Sequence, residues 1–215
     1  EIRMIDMMSV YATLANLGVK KYPTPFLKVT DSKGNTLEEI GGAGEQVLQA
    51  EIAYLITDIL KDNKARTPAF GSNSLLQIPG HTVAVKTGTS DDKRDHWTFR
   101  YNPEYVVGVW VGNNDNSPMD PNLASGVTGA APIWHDIMVN LLAGRKDLAF
   151  QRPPGIIEAN NNGQKDLAIS GQVQKSIVGY QKTKKKDDAT GEEKDVITYT
   201  DPFSVFIPKL NKTTQ

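Results

Sequence analysis

The sequence predicts a mixed α/β fold, an antiparallel sheet packed with helices, on three observations. Apolar residues recur at helical spacing in three stretches. Between the second and third stretch the period changes to two. The strand-like segments there are joined by short polar connections, which make them antiparallel neighbours.

In the first helix Met4, Met7, Met8, Tyr11, Leu14 and Ala15 mark one face, and Gly18 is a natural stop. A methionine stripe at this spacing beside Ala and Leu reads as core rather than as a binding groove. Leu48, Ile52, Leu55, Ile56, Ile59 and Leu60 write the second helix. Strands follow at 82–86, 96–101 and 105–112, separated by the polar stretch 90–95 and by Asn102-Pro103-Glu104. The third helix carries Ile133, Trp134, Ile137, Met138, Leu141 and Leu142, with Pro132 suiting its first turn and Gly144 its end. Residues 1–150 carry 14 basic and 17 acidic side chains, residues 151–215 carry 10 and 8. The break falls at Gln151-Arg152-Pro153-Pro154-Gly155, so 1–150 reads as the main body and 151–215 as a linker and small β-prone tail. Within the tail, 171–180 and 196–207 are β-prone, and the charged stretch 182–195 reads as a solvated hairpin tip or loop.

Composition narrows the function. The 215 residues carry a net charge of −1, which argues against a nucleic-acid footprint. The longest strongly apolar run, 106–111, is far short of the roughly 20 residues that span a bilayer, so no membrane span is expected in this chain. Without cysteine there is no disulfide framework, thiolate zinc site or cysteine nucleophile. The chain starts at Glu1 with neither an initiator methionine nor a signal sequence, and so reads as a piece of something longer. His81, His96 and His135 lack ligand spacing, so no metal is expected, and no cofactor is implied. Asn113-Asn114-Asp115-Asn116 lacks the glycine and distant glutamate of a calcium loop, and Gly108 and Gly112 do not make a nucleotide cradle.

Chemistry concentrates at Lys86-Thr87-Gly88-Thr89, which ends a valine-rich strand. Val83 and Val85 share one side of that strand, Ala84 and Lys86 the other, and a buried lysine is costly, so Lys86 should face a cleft. An ammonium and two hydroxyls suit an anionic substrate, and Lys86 can assist proton transfer if its surroundings lower its pKa. Gly88 has no Cβ and lets a substrate backbone approach. An edge strand here would bind an extended peptide by strand addition.

The string resembles the KTG box of serine acyl-transferases that react with penicillin. Its surroundings resemble one branch of them. Ser9-Val10-Tyr11-Ala12-Thr13-Leu14-Ala15-Asn16-Leu17-Gly18, Ala84-Val85-Lys86-Thr87-Gly88-Thr89-Ser90, Asp95-His96-Trp97 and Val107-Gly108-Val109-Trp110-Val111-Gly112 are similar, in order, to the C-terminal half of the transpeptidase domain of class A penicillin-binding proteins. The resemblance covers roughly residues 1–150. It implies a bacterial D,D-transpeptidase acting on peptidoglycan stem peptides outside the cytoplasmic membrane, inhibited by β-lactams and anchored by a segment absent from this chain. Lys86 would position substrate and organise proton transfer, Thr87 and Thr89 would bind the terminal carboxylate beside Gly88, and the Thr89 backbone N–H would be one oxyanion donor. Trp97 and Trp110 read as supports of the sheet, and Asp95 as structural, pairing with Arg94 or capping the turn.

The chain departs from the family's pattern in its serines. The only SxxK match is Ser90-Asp91-Asp92-Lys93, directly after the KTG box in a charged turn, whereas the family's nucleophile lies well upstream on a buried helix. No serine is followed two positions later by asparagine. The nucleophile is therefore expected in a missing N-terminal part of the same protein, and these 215 residues alone are expected to be inactive. A smaller departure is Arg100, where the family usually has glycine. The alternative reading is a noncatalytic module that keeps the scaffold to bind cell wall or a partner. A β-lactamase or carboxypeptidase also uses a KTG box but fits the flanking stretches less well.

Overall fold

The computed structural model describes residues 2–120, 128–161, 164–172, 179–186 and 193–200. The chain forms two compact units, Glu1–Ile156 and Ile157–Gln215.

The first unit opens with α1 (Met4–Ala15). Its end is fixed by Leu17 and Gly18 at φ of 52° and 87°, with the Gly18 N–H donating to the Thr13 carbonyl at 2.8 Å. A Cβ on Gly18 would stand 2.0 Å from the Leu48 carbonyl oxygen, so the stop is also a close approach between chain segments. Short strands follow: β1 (Val19–Lys20), β2 (Lys28–Thr30), β3 (Thr36–Glu39) and β4 (Glu45–Gln46). They pair as two antiparallel ribbons, β1 with β4 and β2 with β3. Sequence periodicity misses them because they are too short and too exposed to alternate. Next come α2 (Ala50–Lys61) and α3 (Asn63–Phe70). Asp62 separates the two helices and caps α3 by accepting from the backbone N–H groups of Lys64 and Ala65 at 2.8 and 3.1 Å.

The three expected strands are β5 (Ala84–Thr89), β6 (Asp95–Tyr101) and β7 (Val106–Gly112), an antiparallel sheet in the order β5-β6-β7. Register sets Lys86 opposite Phe99, Gly88 opposite Trp97 and Thr98 opposite Val109. Directly opposed residues share a face. Trp97, Phe99 and Tyr101 therefore lie with Lys86 and Gly88 on one face; His96, Thr98 and Arg100 lie with Val85, Thr87 and Thr89 on the other.

Helices cover both faces. On the first, Tyr11 of α1 stacks on Phe99 at 4.7 Å, and Met8 sits so close to Gly108 that a Cβ there would lie 2.5 Å from its sulfur. Thr57 of α2 is buried, with its hydroxyl 2.9 Å from that of Tyr101. On the second, α4 (Ala130–Leu142) inserts Trp134, Met138 and Leu142 against Ile78, Val83 and Val109. Two apolar stripes are partly redirected. In α2 the buried residues are Ala53, Tyr54 and Thr57, while Ile59 is 72% exposed, because the Thr57 bond to Tyr101 rotates the polar-looking edge inward. In α4, Ile133 and Ile137 are exposed because Ala131 and Trp134 take the sheet side.

The second unit contains the hairpins β8 (Ile156–Asn161) with β9 (Gln164–Ile169), and β10 (Gly179–Lys186) with β11 (Glu193–Thr200). The charged stretch is thus not all loop: 182–186 and 193–195 lie within a continuous eight-pair ladder. Its register sets Lys184 opposite Asp195, Lys185 opposite Lys194 and Lys186 opposite Glu193, a backbone pairing that composition alone does not reveal. Residues 173–178 and 201–207 of the expected β-prone stretches lie outside the described residues.

Candidate active site

Lys86, Thr87, Gly88 and Thr89 occupy the last four positions of β5, an edge strand of the described sheet. The orientation of their backbone follows from the ladder. The Ser90 N–H donates to the Asp95 carbonyl at 3.0 Å, and hydrogen-bonding pairs alternate along an antiparallel ladder. Hence Gly88 and Lys86 direct their N–H and C=O groups toward β6, while Thr87 and Thr89 direct theirs to the outer edge. The Lys86 ammonium donates to the Thr87 carbonyl at 2.5 Å on that side.

Alongside lies a cleft of about 280 Å³. Val85, Lys86 and Thr87 form one wall, and Ile59, Leu60, Ala65, Arg66, Phe70 and Leu76 the other. Lys86 is exposed, although Ala84 on the same face is buried, because the strand runs out of the core toward its end. A Cβ at Gly88 would meet only the Trp97 Cβ, at 3.7 Å, an ordinary contact. The fold therefore does not need glycine there, and the space belongs to whatever approaches the edge. Of this wall, sequence periodicity marks only Ile59 and Leu60, as part of the second helix's apolar face; α3 carries no such pattern.

The turn after β5 is locked. Ser90 donates its hydroxyl to Asp95 Oδ2 at 2.8 Å and accepts from the Asp95 backbone N–H at 2.8 Å. Asp95 Oδ1 accepts from the Trp110 indole at 2.8 Å. Asp95 is thus a turn latch rather than a partner of Arg94, whose ion pair is with Asp92 at 3.7 Å. Ser90 is engaged in this latch and Lys93, at φ 56°, is exposed on the turn, an arrangement unlike a serine and lysine sharing a helix face. Trp97 stacks on Phe99 at 5.4 Å and lies 6.3 Å from Trp110, forming a half-buried aromatic support under Gly88.

The opposite face of β6 is unusual. His96, Thr98 and Arg100 are all fully buried. Burial and the nearby Lys93 lower the His96 pKa. Burial, then repulsion from Arg66, pushes Arg100 down to about 8. Burial holds the Tyr101 phenol up at about 12. Among the described residues no three His, Asp or Glu side chains are grouped to hold a metal, and no helix is long and apolar enough to cross a membrane.

Comparison with known proteins places this arrangement. The family model for the penicillin binding protein transpeptidase domain matches residues 1–138. Penicillin-binding protein 2D of Bacillus subtilis is 32% identical over 160 residues, covering 72% of this chain and 22% of that protein. Penicillin-binding protein 1A of Aquifex aeolicus is 32% identical over 173 residues, covering 80% and 23%. The chain thus spans about a fifth to a quarter of the length of these relatives. Among solved structures, penicillin-binding protein PonA1 from Mycobacterium tuberculosis matches with a TM-score of 0.60 at 27% identity, over 69% of this chain and 41% of that one. Penicillin-binding protein 1A from Haemophilus influenzae shares the fold, with a TM-score of 0.68 at 20% identity over 80% and 33%. The chain belongs to the penicillin-binding protein transpeptidase family, in its class A branch.

Proposed function

We propose that this chain supplies the KTG side of a D,D-transpeptidase cleft, and that the nucleophilic serine comes from residues outside these 215. The observation that carries the reading is the outer edge of β5, where Lys86 and Thr87 line a cleft and the edge continues past it through the open space at Gly88 to the outward-facing backbone of Thr89. A stem peptide ending in D-Ala-D-Ala adds to this edge as a strand, its backbone passing over Gly88. The Thr87 and Thr89 hydroxyls bind its terminal carboxylate, with Lys86 supplying positive charge. The serine attacks the carbonyl between the two alanines, the Thr89 N–H stabilises the oxyanion, and the last alanine leaves. An amine of a neighbouring stem peptide then takes the acyl group. Lys86 positions the substrate and organises proton transfer, a role worth about 10²–10⁴ in rate.

The reaction belongs to the extracytoplasmic face of the bacterial membrane, where peptidoglycan lies, with anchoring outside this chain. β-Lactams bind the same edge as substrate mimics. In the longer protein, Lys86→Ala lowers acylation by fluorescent penicillin at least about a hundredfold; near-normal labelling of that variant removes Lys86 from the mechanism. The missing serine box favours a second reading for the isolated chain, a noncatalytic module binding cell wall or a partner; it predicts that a parent sequence lacks an upstream SxxK followed by SxN.

A further inference from the structure

A row of unmatched donors lies on the face of the sheet away from Lys86. Arg100 is fully buried, and its Nε and Nη1 have no hydrogen-bond partner. Among the described residues its side chain has one hydrogen bond, a long one from Nη2 to the Leu75 carbonyl at 3.4 Å. The guanidinium carbon lies 3.4 Å from the centre of the Trp134 ring, and the Trp134 Nε1, also fully buried, has no partner either. Every orphan of this stacked pair is therefore a donor. An unpaired buried charge is strongly unfavourable, and guanidinium keeps its proton more stubbornly than any other side chain. The neighbouring charge makes matters worse, because Arg66 repels Arg100. Arg66 is held by the Asp62 and Leu60 backbone carbonyls at 3.2 and 2.5 Å and attracted by the Asp62 carboxylate, whose oxygen caps α3; among the described residues no carboxylate bonds Arg100. Arg66 in turn lines a polar cleft of about 190 Å³ with Lys61, Asn63, Gln77 and His81, walled by the segment 76–78 directly after Leu75.

We propose that Arg100 and Trp134 Nε1, with Arg66 at the entrance, form a buried site for a small monovalent anion, a carboxylate or a halide. Such an anion accepts from the orphan donors, offsets two like charges and ties the 75–78 segment to the centre of the sheet. Arg100 stands directly across the ladder from Val85, next to Lys86, so the anion also braces the strand that carries the KTG box. This inference uses only the buried face and stands whether or not the transpeptidase reading does.

The test is thermal unfolding of the full chain in sodium acetate or sodium bromide, against the same ionic strength of a bulky sulfonate buffer salt. The melting temperature is expected to rise by roughly 3–5 °C for each tenfold increase in the small anion once the site fills. Acetate above bromide identifies a carboxylate site, bromide above acetate a halide site. Trp134→Phe, which keeps a ring but removes the donor, and Arg66→Met are expected to cut the shift at least several-fold. Arg100→Met abolishes the shift where it folds, and the other two variants decide the matter where it does not. Absence of any small-anion shift in the parent chain, as water filling the site would give, overturns the proposal. So does an equal shift in Trp134→Phe and Arg66→Met.

Discussion

Gly88 and Tyr101 show how single residues divide between function and stability. A Cβ at Gly88 meets nothing closer than 3.7 Å, so the fold accepts one and a strand gains from it. Gly88→Ala is expected to raise stability by about 0.5–1 kcal/mol. If a peptide backbone passes over this position, the same methyl group lowers penicillin labelling of the longer protein by about tenfold, the effect of a clash of ~1.4 kcal/mol. Denaturant unfolding and gel labelling of the one variant separate the two. Tyr101 is 0% exposed and its phenol stays protonated up to about 12, against 10 when unfolded. Between these pH values the folded state holds a proton the unfolded state has lost, so stability falls as pH rises from 10 to 12. Tyr101→Phe is expected to flatten that slope in urea midpoints measured across the window, leaving a smaller contribution from Tyr11, whose pKa burial also raises.

At the level of elements, the three strands and the first and last helices were legible because their apolar residues recur at strand and helix spacing. Val83, Val85, Val107 and Val109 alternate, and Trp134, Met138 and Leu142 recur every four residues. What the pattern could not show is which edge of the α2 apolar stripe meets the sheet. Ile59 looks like core by spacing, yet a single polar contact, Thr57 to Tyr101, turns it onto the cleft. The latch of Ser90, Asp95 and Trp110 was equally hidden, since it joins residues on three segments. Two substitutions test the packing. Gly18→Ala forces a contact of 2.0 Å with the Leu48 carbonyl at φ 87°, and is expected to cost at least about 2 kcal/mol. Trp134→Ala empties the centre of the α4 contact and is expected to cost about 3–5 kcal/mol, read from urea unfolding.

For the whole molecule, the site residues were legible as a short motif whose neighbours in sequence carry the family resemblance, while the cleft beside it depends on α3, which has no amphipathic signature and contains Pro68. Arg100 was visible in sequence only as a departure from glycine; its burial against Trp134 needs the fold to appear. The 215 residues correspond to about a fifth to a quarter of the relatives' length, and the only serine with a lysine three positions on is tied into a turn. The central claim is that this chain carries the substrate edge while its nucleophile lies elsewhere. The most direct measurement is incubation of the 215-residue chain with fluorescent penicillin, followed by denaturing electrophoresis. No covalent label is expected; a labelled band, lost on Ser90→Ala, places the nucleophile within these residues instead.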